Sequence, residues 1–413
     1  MQANVEAITS YFRSGIKSTS DPVRLGMELE HILVTEHMMA VPYSDEHGSR
    51  WLLEQFLEDL PEATYGEDKS LIGAAGPGVS LTLEPAAQFE ISAGPYEYAN
   101  EVRPELERFE RKAAALLGQH GQRLVTLGYH PTARVDDLEL IPKRRYQFMD
   151  KHFQAIGHYG RCMMRGSAAT QISIDYYSEQ DCLRKMRIAS ALTPALALLC
   201  DNSPVFEGEP RTHQLVRTKI WRECDPARCG LVPGVMEPNF SFEKYAEYVL
   251  STPAIFGFDE NGKPFATEQT FGELYQNHAM QIADVEHALS LFFNDIRLKT
   301  YIEIRPADSM PTPFVAAYVA LIKGLFYNNE SLDALDEMIG SASASDVEQA
   351  KTNLMDAGYD AELYGLPAGE FMDKLFDLAH KALSATEASC LVPLAQLAAS
   401  RKTLATMAER RSH

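Results

Sequence analysis

Leu25-Gly26-Met27-Glu28-Leu29-Glu30-His31-Ile32-Leu33-Val34 is the stretch on which the reading of this chain turns. In an extended backbone successive side chains point to opposite faces, so Glu28 and Glu30 share one face and Met27 and Leu29 the other. Glutamate is depleted in strands, and two like charges side by side repel. The pair therefore needs either open water or a cation to offset it. A solvated edge strand is the plain alternative, and one pair does not decide between the two.

Three more segments repeat the pattern. In Leu83-Glu84-Pro85-Ala86-Ala87-Gln88-Phe89-Glu90-Ile91-Ser92, even spacing brings Glu84, Gln88 and Glu90 to one face, although Pro85 points to an edge or a bulge. In Lys299-Thr300-Tyr301-Ile302-Glu303-Ile304-Arg305, alternation puts Lys299, Tyr301, Glu303 and Arg305 opposite Thr300, Ile302 and Ile304. Gln171-Ile172-Ser173-Ile174-Asp175 alternates in the same fashion. In one sheet, these strands would give one apolar face and one face of oxygen donors interspersed with lysine and arginine. Magnesium takes oxygen ligands and bridges carboxylates to nucleotide phosphates, so such a face suits phosphoryl transfer. An ordinary wet face with structural salt bridges is the competing reading, and recurrence over four segments weighs against it.

Working outward, the alternation predicts strands over residues 24–34, 79–92, 169–177 and 298–307. Helical patterns cover 97–119, 179–199, 240–250 and 270–293, and after Pro311 and Pro313 a nearly unbroken helical pattern runs to Arg410. Gly76-Pro77-Gly78, Asn202-Ser203-Pro204 and Asn261-Gly262-Lys263-Pro264 read as turns. The order is too irregular for a doubly wound parallel sheet. The expectation is an α+β fold with a mainly antiparallel sheet, forming one domain over 1–413 in which 1–330 carries the sheet and 331–413 is a C-terminal helical region.

Composition narrows the function. The chain has 413 residues and a formal net charge of −20, which opposes binding to a nucleic-acid backbone. No tract is long and apolar enough to span a bilayer. The six cysteines form no CxxC pair and no zinc spacing, and residues 1–20 lack a secretion signal, so a reducing cytoplasm is the expected location. There is no GxxxxGK[ST], no HExxH and no GxSxG, and Gly73-Ala74-Ala75-Gly76-Pro77-Gly78 lacks the order of a dinucleotide fingerprint. His31, His130, His158 and His213 have no local partner at ligand spacing.

Arg217-Thr218-Lys219-Ile220-Trp221 and Asp225-Pro226-Ala227-Arg228-Cys229-Gly230 set guanidinium groups and an indole in a turn-rich region. Arginine grips carboxylate or phosphate with paired hydrogen bonds, and an indole can wall a pocket. A surface salt-bridge patch is the plainer reading of such a cluster taken alone.

In order and spacing, Gly26 to Glu30, Leu83 to Ser92, Ile141-Pro142-Lys143-Arg144-Arg145-Tyr146, Met163-Met164-Arg165 through Gln171, Arg217 through Trp221, Asp225 through Gly230, and Arg297 through Arg305 resemble the plant-type branch of the glutamate-cysteine ligases, which includes many bacterial members. The resemblance implies a curved antiparallel sheet of glutamine-synthetase-like shape, holding ATP, magnesium and glutamate over its concave face. It further implies that Glu28, Glu30, Glu84, Glu90 and Glu303 bind magnesium and that Lys299 and Arg305 meet the nucleotide. Arg305 would face the transferred phosphoryl group, Arg217 and Arg228 would hold glutamate or developing phosphate charge, and Arg165, Gln171 and Trp221 would line the substrate site.

The implied reaction activates glutamate as an acyl phosphate, which the amine of cysteine then displaces. The family commonly has two glycines at the positions of Ala86 and Ala87, and an asparagine at that of Ser173. A ligase for a different amine, or a non-catalytic nucleotide-binding relative, are the rival readings.

Overall fold

The computed structural model describes residues 1–409. Arg410, where the helical pattern was expected to end, and the last positions of the 331–413 segment lie outside the described residues.

The strand expected from alternation is β1, Leu25–Thr35, and it is the hub of a nine-stranded sheet. The others are β2 (Glu62–Tyr65), β3 (Leu71–Gly76), β4 (Val79–Leu83), β5 (Phe89–Tyr96), β6 (Gln122–Val125), β7 (Ala169–Ile174), β8 (Ile296–Leu298) and β9 (Ile302–Asp308). Their order is β8-β9-β7-β1-β5-β4-β3-β2, with β6 paired to the C-terminal half of β1, and every pairing is antiparallel.

Leu25, Met27 and Leu29 are fully buried on one face, together with Phe89, Ile91, Ile172, Ile174, Ile302 and Ile304. Burying each such side chain contributes about 1.5–3 kcal/mol, so this face fixes the register. Helices Val102–Leu117, Glu179–Leu199 and Thr312–Phe326 pack against the sheet. One contiguous apolar core reaches from Ile8 to Ala398 and takes in residues of the helices beyond 331.

Several expected elements are shorter or split. The predicted strand over 79–92 is a hairpin, because Pro85 lacks an amide hydrogen and Ala87 adopts φ 68°, ending β4 and reversing the chain. The predicted strand over 298–307 is broken at residues 299–301, and the helix over 270–293 is two short helices, Phe271–Leu274 and Ile282–Leu289. The sequence reading missed β2, β3 and β6; β3 contains Gly73, Ala74, Ala75 and Gly76, whose small side chains carry little strand signal. The pattern after Pro313 is interrupted by a small hairpin, Glu362–Leu363 with Leu366–Pro367.

Candidate active site

The pairing register converts the alternation of β1 into a lattice of polar side chains. Glu28 lies between Gln171 on β7 and Ser92 on β5, and Ser92 faces Ser80 on β4. One step along, Glu30 pairs with Glu90, and Glu90 with Thr82. On the other side Gly26 faces Ser173, which faces Glu303 on β9. A bulge between Ile304 and Ala307 then shifts β9, and Arg305 donates a hydrogen bond to Gln171 Oε1.

This face carries two adjoining cavities that share Glu28 as a wall. One, of about 260 Å³, is lined by Glu28, Glu30, Glu84 and Glu90 together with Lys143, Arg145, Arg217, Arg297, Lys299 and Arg305. The other, of about 450 Å³, has Met27, Val79 and Tyr301 among its walls, with Lys17, Arg24 and Asp175.

The carboxylates crowd one another. Burial and the neighbouring Glu84 charge push the Glu30 carboxyl up to about 8, against the charge of Arg217 and a backbone N–H from Ala169 at 3.1 Å. Burial and the charges of Glu28, Glu84 and Glu30 drive Glu90 well above the ordinary carboxylate range, although Thr82 Oγ1 donates to it at 2.8 Å and Ser92 Oγ at 3.2 Å. Burial and Glu303 raise Glu28. Glu84 sits in the turn after β4, not on a strand, and receives the Tyr146 hydroxyl at 3.4 Å.

Glu303 behaves oppositely. Burial works to raise its carboxyl, but Arg297, Lys299 and Arg305 outweigh burial and hold it far below the usual range. Arg297 donates to one carboxylate oxygen, Lys299 Nζ lies 2.7 Å from the other, and Arg305 stands 3.7 Å away. At 1% exposure, Glu303 lies behind the cavity lining and sets the positions of three cations that reach it.

Of the residues singled out in the sequence, Glu28, Glu30, Glu84, Glu90, Gln171, Arg217, Trp221, Lys299 and Arg305 line the carboxylate cavity. Arg217 stacks 4.6 Å over the Trp221 ring and donates to Ala307 O at 2.8 Å, while Trp221 Nε1 donates to Phe293 O at 2.9 Å. Three do not line it: Glu303, expected as a magnesium ligand, sits behind the lining with its carboxylate taken up by Arg297 and Lys299, and two arginines are held elsewhere. Arg165, within the π-helical turn Cys162–Gly166, is held by Asp150 at 2.6 Å and by Leu138 O at 2.9 Å. Arg228, 1% exposed, is consumed by Asp225 at 2.6 Å and Pro253 O at 2.7 Å. Burial raises Asp225, but the hydrogen bond with His152 and the Arg228 charge overcome it and hold it at about 2.

Lys143, Arg145, Tyr146 and Arg297 line the cavity without having been given a role from sequence. A signal existed for Lys143 and Arg145: with Arg144 they crowd the N-terminus of helix Arg144–Ala155, whose first turn has no acid. Cations are disfavoured there by the helix dipole, so a partner of opposite charge must offset them. Burial depresses the Lys143 ammonium, with Glu84 opposing the shift.

The donor set suits magnesium and phosphate. Among the described residues no three acid, histidine or cysteine groups form a closed metal cluster. Magnesium is commonly held by one or two carboxylates with phosphate oxygens and water completing its shell, and Glu28, Glu30, Glu84 and Glu90 line the cavity from which such carboxylates would come. Among the described residues, the buried Nε atoms of Arg145, Arg217 and Arg305 have no hydrogen-bond partner, which suits an anionic ligand.

Comparison with known proteins agrees with this geometry. A family model described as glutamate-cysteine ligase family 2 (GCS2) matches residues 24–397. The chain is 29% identical over 356 residues to a chloroplastic glutamate–cysteine ligase of Arabidopsis thaliana, covering 84% of this chain and 68% of that protein. It is 30% identical over 341 residues to the chloroplastic glutamate–cysteine ligase B of Oryza sativa subsp. japonica, covering 81% and 68%. A glutamate–cysteine ligase of Francisella tularensis, solved in complex with AMP, shares the fold at a TM-score of 0.56 and 13% identity, over 96% of this chain and 86% of that one. With the match extending from the first strand of the sheet into the C-terminal helices, the chain belongs to glutamate-cysteine ligase family 2.

Proposed function

We propose that this protein joins the γ-carboxylate of L-glutamate to the amine of L-cysteine at the expense of ATP, giving γ-glutamylcysteine, ADP and phosphate. The observation that carries this reading is the single cavity in which four glutamates face six lysine and arginine side chains. Such a site can bring two anions together, which is the electrostatic problem in attack of a carboxylate on a triphosphate.

In this reading Glu28, Glu30, Glu84 and Glu90 hold magnesium, with Glu303 fixing the cations beside it. Bound magnesium would neutralise the phosphates and polarise the transferred phosphoryl group. Lys299 and Arg305 steady the phosphate oxygens, and Arg305 stabilises charge as the glutamate carboxylate attacks the terminal phosphorus. Arg217, on its Trp221 platform, and Gln171 orient glutamate. The amine of cysteine then attacks the carbonyl carbon of the resulting acyl phosphate, forming the amide bond as the C–O bond to phosphate breaks, the amine loses a proton and inorganic phosphate leaves. Met149, Met163, Met164 and Phe293 form the apolar part of the wall and limit water, which would otherwise consume that intermediate. The larger neighbouring cavity suits the adenosine, with Pro95 and Tyr301 as apolar surface.

The described chain functions as one catalytic unit, supported by the apolar core that its helices beyond 331 share with the sheet. Among the described residues no helix is long and apolar enough to cross a membrane. Six free cysteines favour a reducing compartment such as the cytoplasm, although the plant relatives are chloroplastic.

The test is ADP release with ATP, magnesium, glutamate and a panel of amines. Turnover that depends on the amine and is greatest with cysteine supports the assignment. Preference for a different amine would move the substrate, and nucleotide binding without turnover would remove the activity.

A further inference from the structure

The helical region after residue 331 comes up behind the cavity's Arg217 and Arg305 through one buried lysine. Lys351 lies on helix Ala344–Ala357, and its side chain is 3% exposed. Its ammonium sits 2.7 Å from Asp295 Oδ2 and 2.7 Å from Glu348 Oε1. Asp295 precedes β8, and its backbone carbonyl accepts the Arg305 N–H at 3.0 Å, while its own N–H donates to Gly230 O at 3.0 Å. Glu348 Oε2 takes Arg222 Nε at 3.1 Å, and Arg222 donates to Thr352 Oγ1 at 3.0 Å. Arg222 ends the short helix Val216–Arg222 that bears Arg217 and Trp221.

An alternating chain of charges, Arg222, Glu348, Lys351 and Asp295, therefore ties one C-terminal helix to two of the elements that bring arginines to the cavity, those bearing Arg217 and Arg305. A gap of about 20 Å³, room for about one water, is lined jointly by Lys351, Asp295, Arg217, Trp221 and Arg305. Burial works against the Lys351 charge, but Asp295 and Glu348 outweigh burial and keep it protonated beyond the ordinary lysine range.

We propose that Lys351 is a positioning residue for the ligation, fixing Arg305 through Asp295 and the Arg217–Trp221 pair through Glu348 and Arg222. This rests on the ligase reading above. Misplacing a charge-stabilising group by about 1 Å costs about 10²-fold in rate, so the effect falls on kcat more than on ATP binding.

The experiment places Lys351→Met, Lys351→Arg and Glu348→Gln in a Trp51→Phe background, where Trp221 is the one indole. Turnover is expressed per folded molecule, with the folded fraction taken from circular dichroism, and Trp221 emission is recorded in parallel. Lys351→Met is expected to lower kcat by about 10–100-fold with KM for ATP within about twofold, and to shift Trp221 emission to the red. Lys351→Arg is expected to restore most of the rate, which a role in bulk stability alone would not explain. Unchanged kcat per folded molecule together with unchanged Trp221 emission would overturn the proposal. If Lys351→Met does not fold, Glu348→Gln decides, because it cuts only the Arg222 arm: a kcat lowered about threefold or more with a shifted Trp221 spectrum supports the tie, and wild-type values of both refute it. If the parent protein releases no ADP, the ligase reading fails, while the Trp221 spectra still test the structural tie.

Discussion

Glu30 and Glu90 stand directly opposite one another across β1 and β5, both buried, and among the described residues no lysine or arginine lies within ion-pair distance of either. Opposed like charges weaken a sheet by roughly 0.2–1 kcal/mol even where water helps. Glu90→Gln is therefore expected to raise the metal-free melting temperature, by about 1 kcal/mol in stability, and to reduce the stabilisation that magnesium confers. Thermal unfolding with and without magnesium measures both. An equal magnesium effect in the variant and the wild type would remove Glu90 from the metal shell.

Glu303 is expected to serve catalysis and stability together. With its charge removed in Glu303→Gln, Arg297, Lys299 and Arg305 would be left packed against one another, at a cost of about 3 kcal/mol in unfolding free energy. Because those cations would lose their alignment, kcat per folded molecule should fall by about 10²–10³-fold. Denaturant titration and ADP release separate the two effects. Wild-type kcat in the folded fraction would leave Glu303 a purely structural role.

Arg217 and Arg228 resemble each other in sequence and differ in surroundings. Arg228→Met leaves Asp225 buried without its charge partner, and about 3–5 kcal/mol of stability should be lost. Arg217→Met also removes the charge partner of buried Asp308, but across a looser 3.6 Å contact and from a carboxyl that burial already pushes toward its neutral form, so it is expected to cost less stability than Arg228→Met and to raise KM for glutamate by about tenfold or more. Parallel melting curves and glutamate titrations test the contrast, and the reverse pattern would exchange the two roles.

Asp308 supplies a pH signature. Its buried carboxyl is pushed up to about 6 by burial, against the opposing charge of Arg217 3.6 Å away. An unfolded aspartate titrates near 3.9, so between about pH 4 and 6 the folded state binds more protons than the unfolded state, and stability falls as pH rises through that window. Asp308→Asn should remove this slope, so its stability relative to wild type is expected to climb from pH 4 to 6 and then level off. Chemical denaturation across that range checks it, and parallel curves for the two proteins would contradict the assignment.

The sheet's acidic face was legible because period-two alternation in β1 leaves no other place for Glu28 and Glu30 once Met27 and Leu29 enter the core. Glu84 and Glu90 reached the same cavity by a different route from that expected, through a hairpin turn at Ala87 in place of a continuous strand. Arg165 and Arg228 were misjudged in position because sequence shows that an arginine is present but not whether a nearby carboxylate, here Asp150 or Asp225, has already consumed it. Lys351 was invisible for a related reason: its partner Asp295 is 56 residues away, and only tertiary packing brings them together.

Glu28 stands in the wall between the two cavities. Ligands on its two sides would meet the same carboxylate, so occupancy on one side is expected to alter the electrostatic free energy of occupancy on the other, with the same coupling constant in both directions. Measured as a ratio of dissociation constants, nucleotide affinity with and without glutamate should equal glutamate affinity with and without nucleotide, and Glu28→Gln should bring that shared ratio toward one.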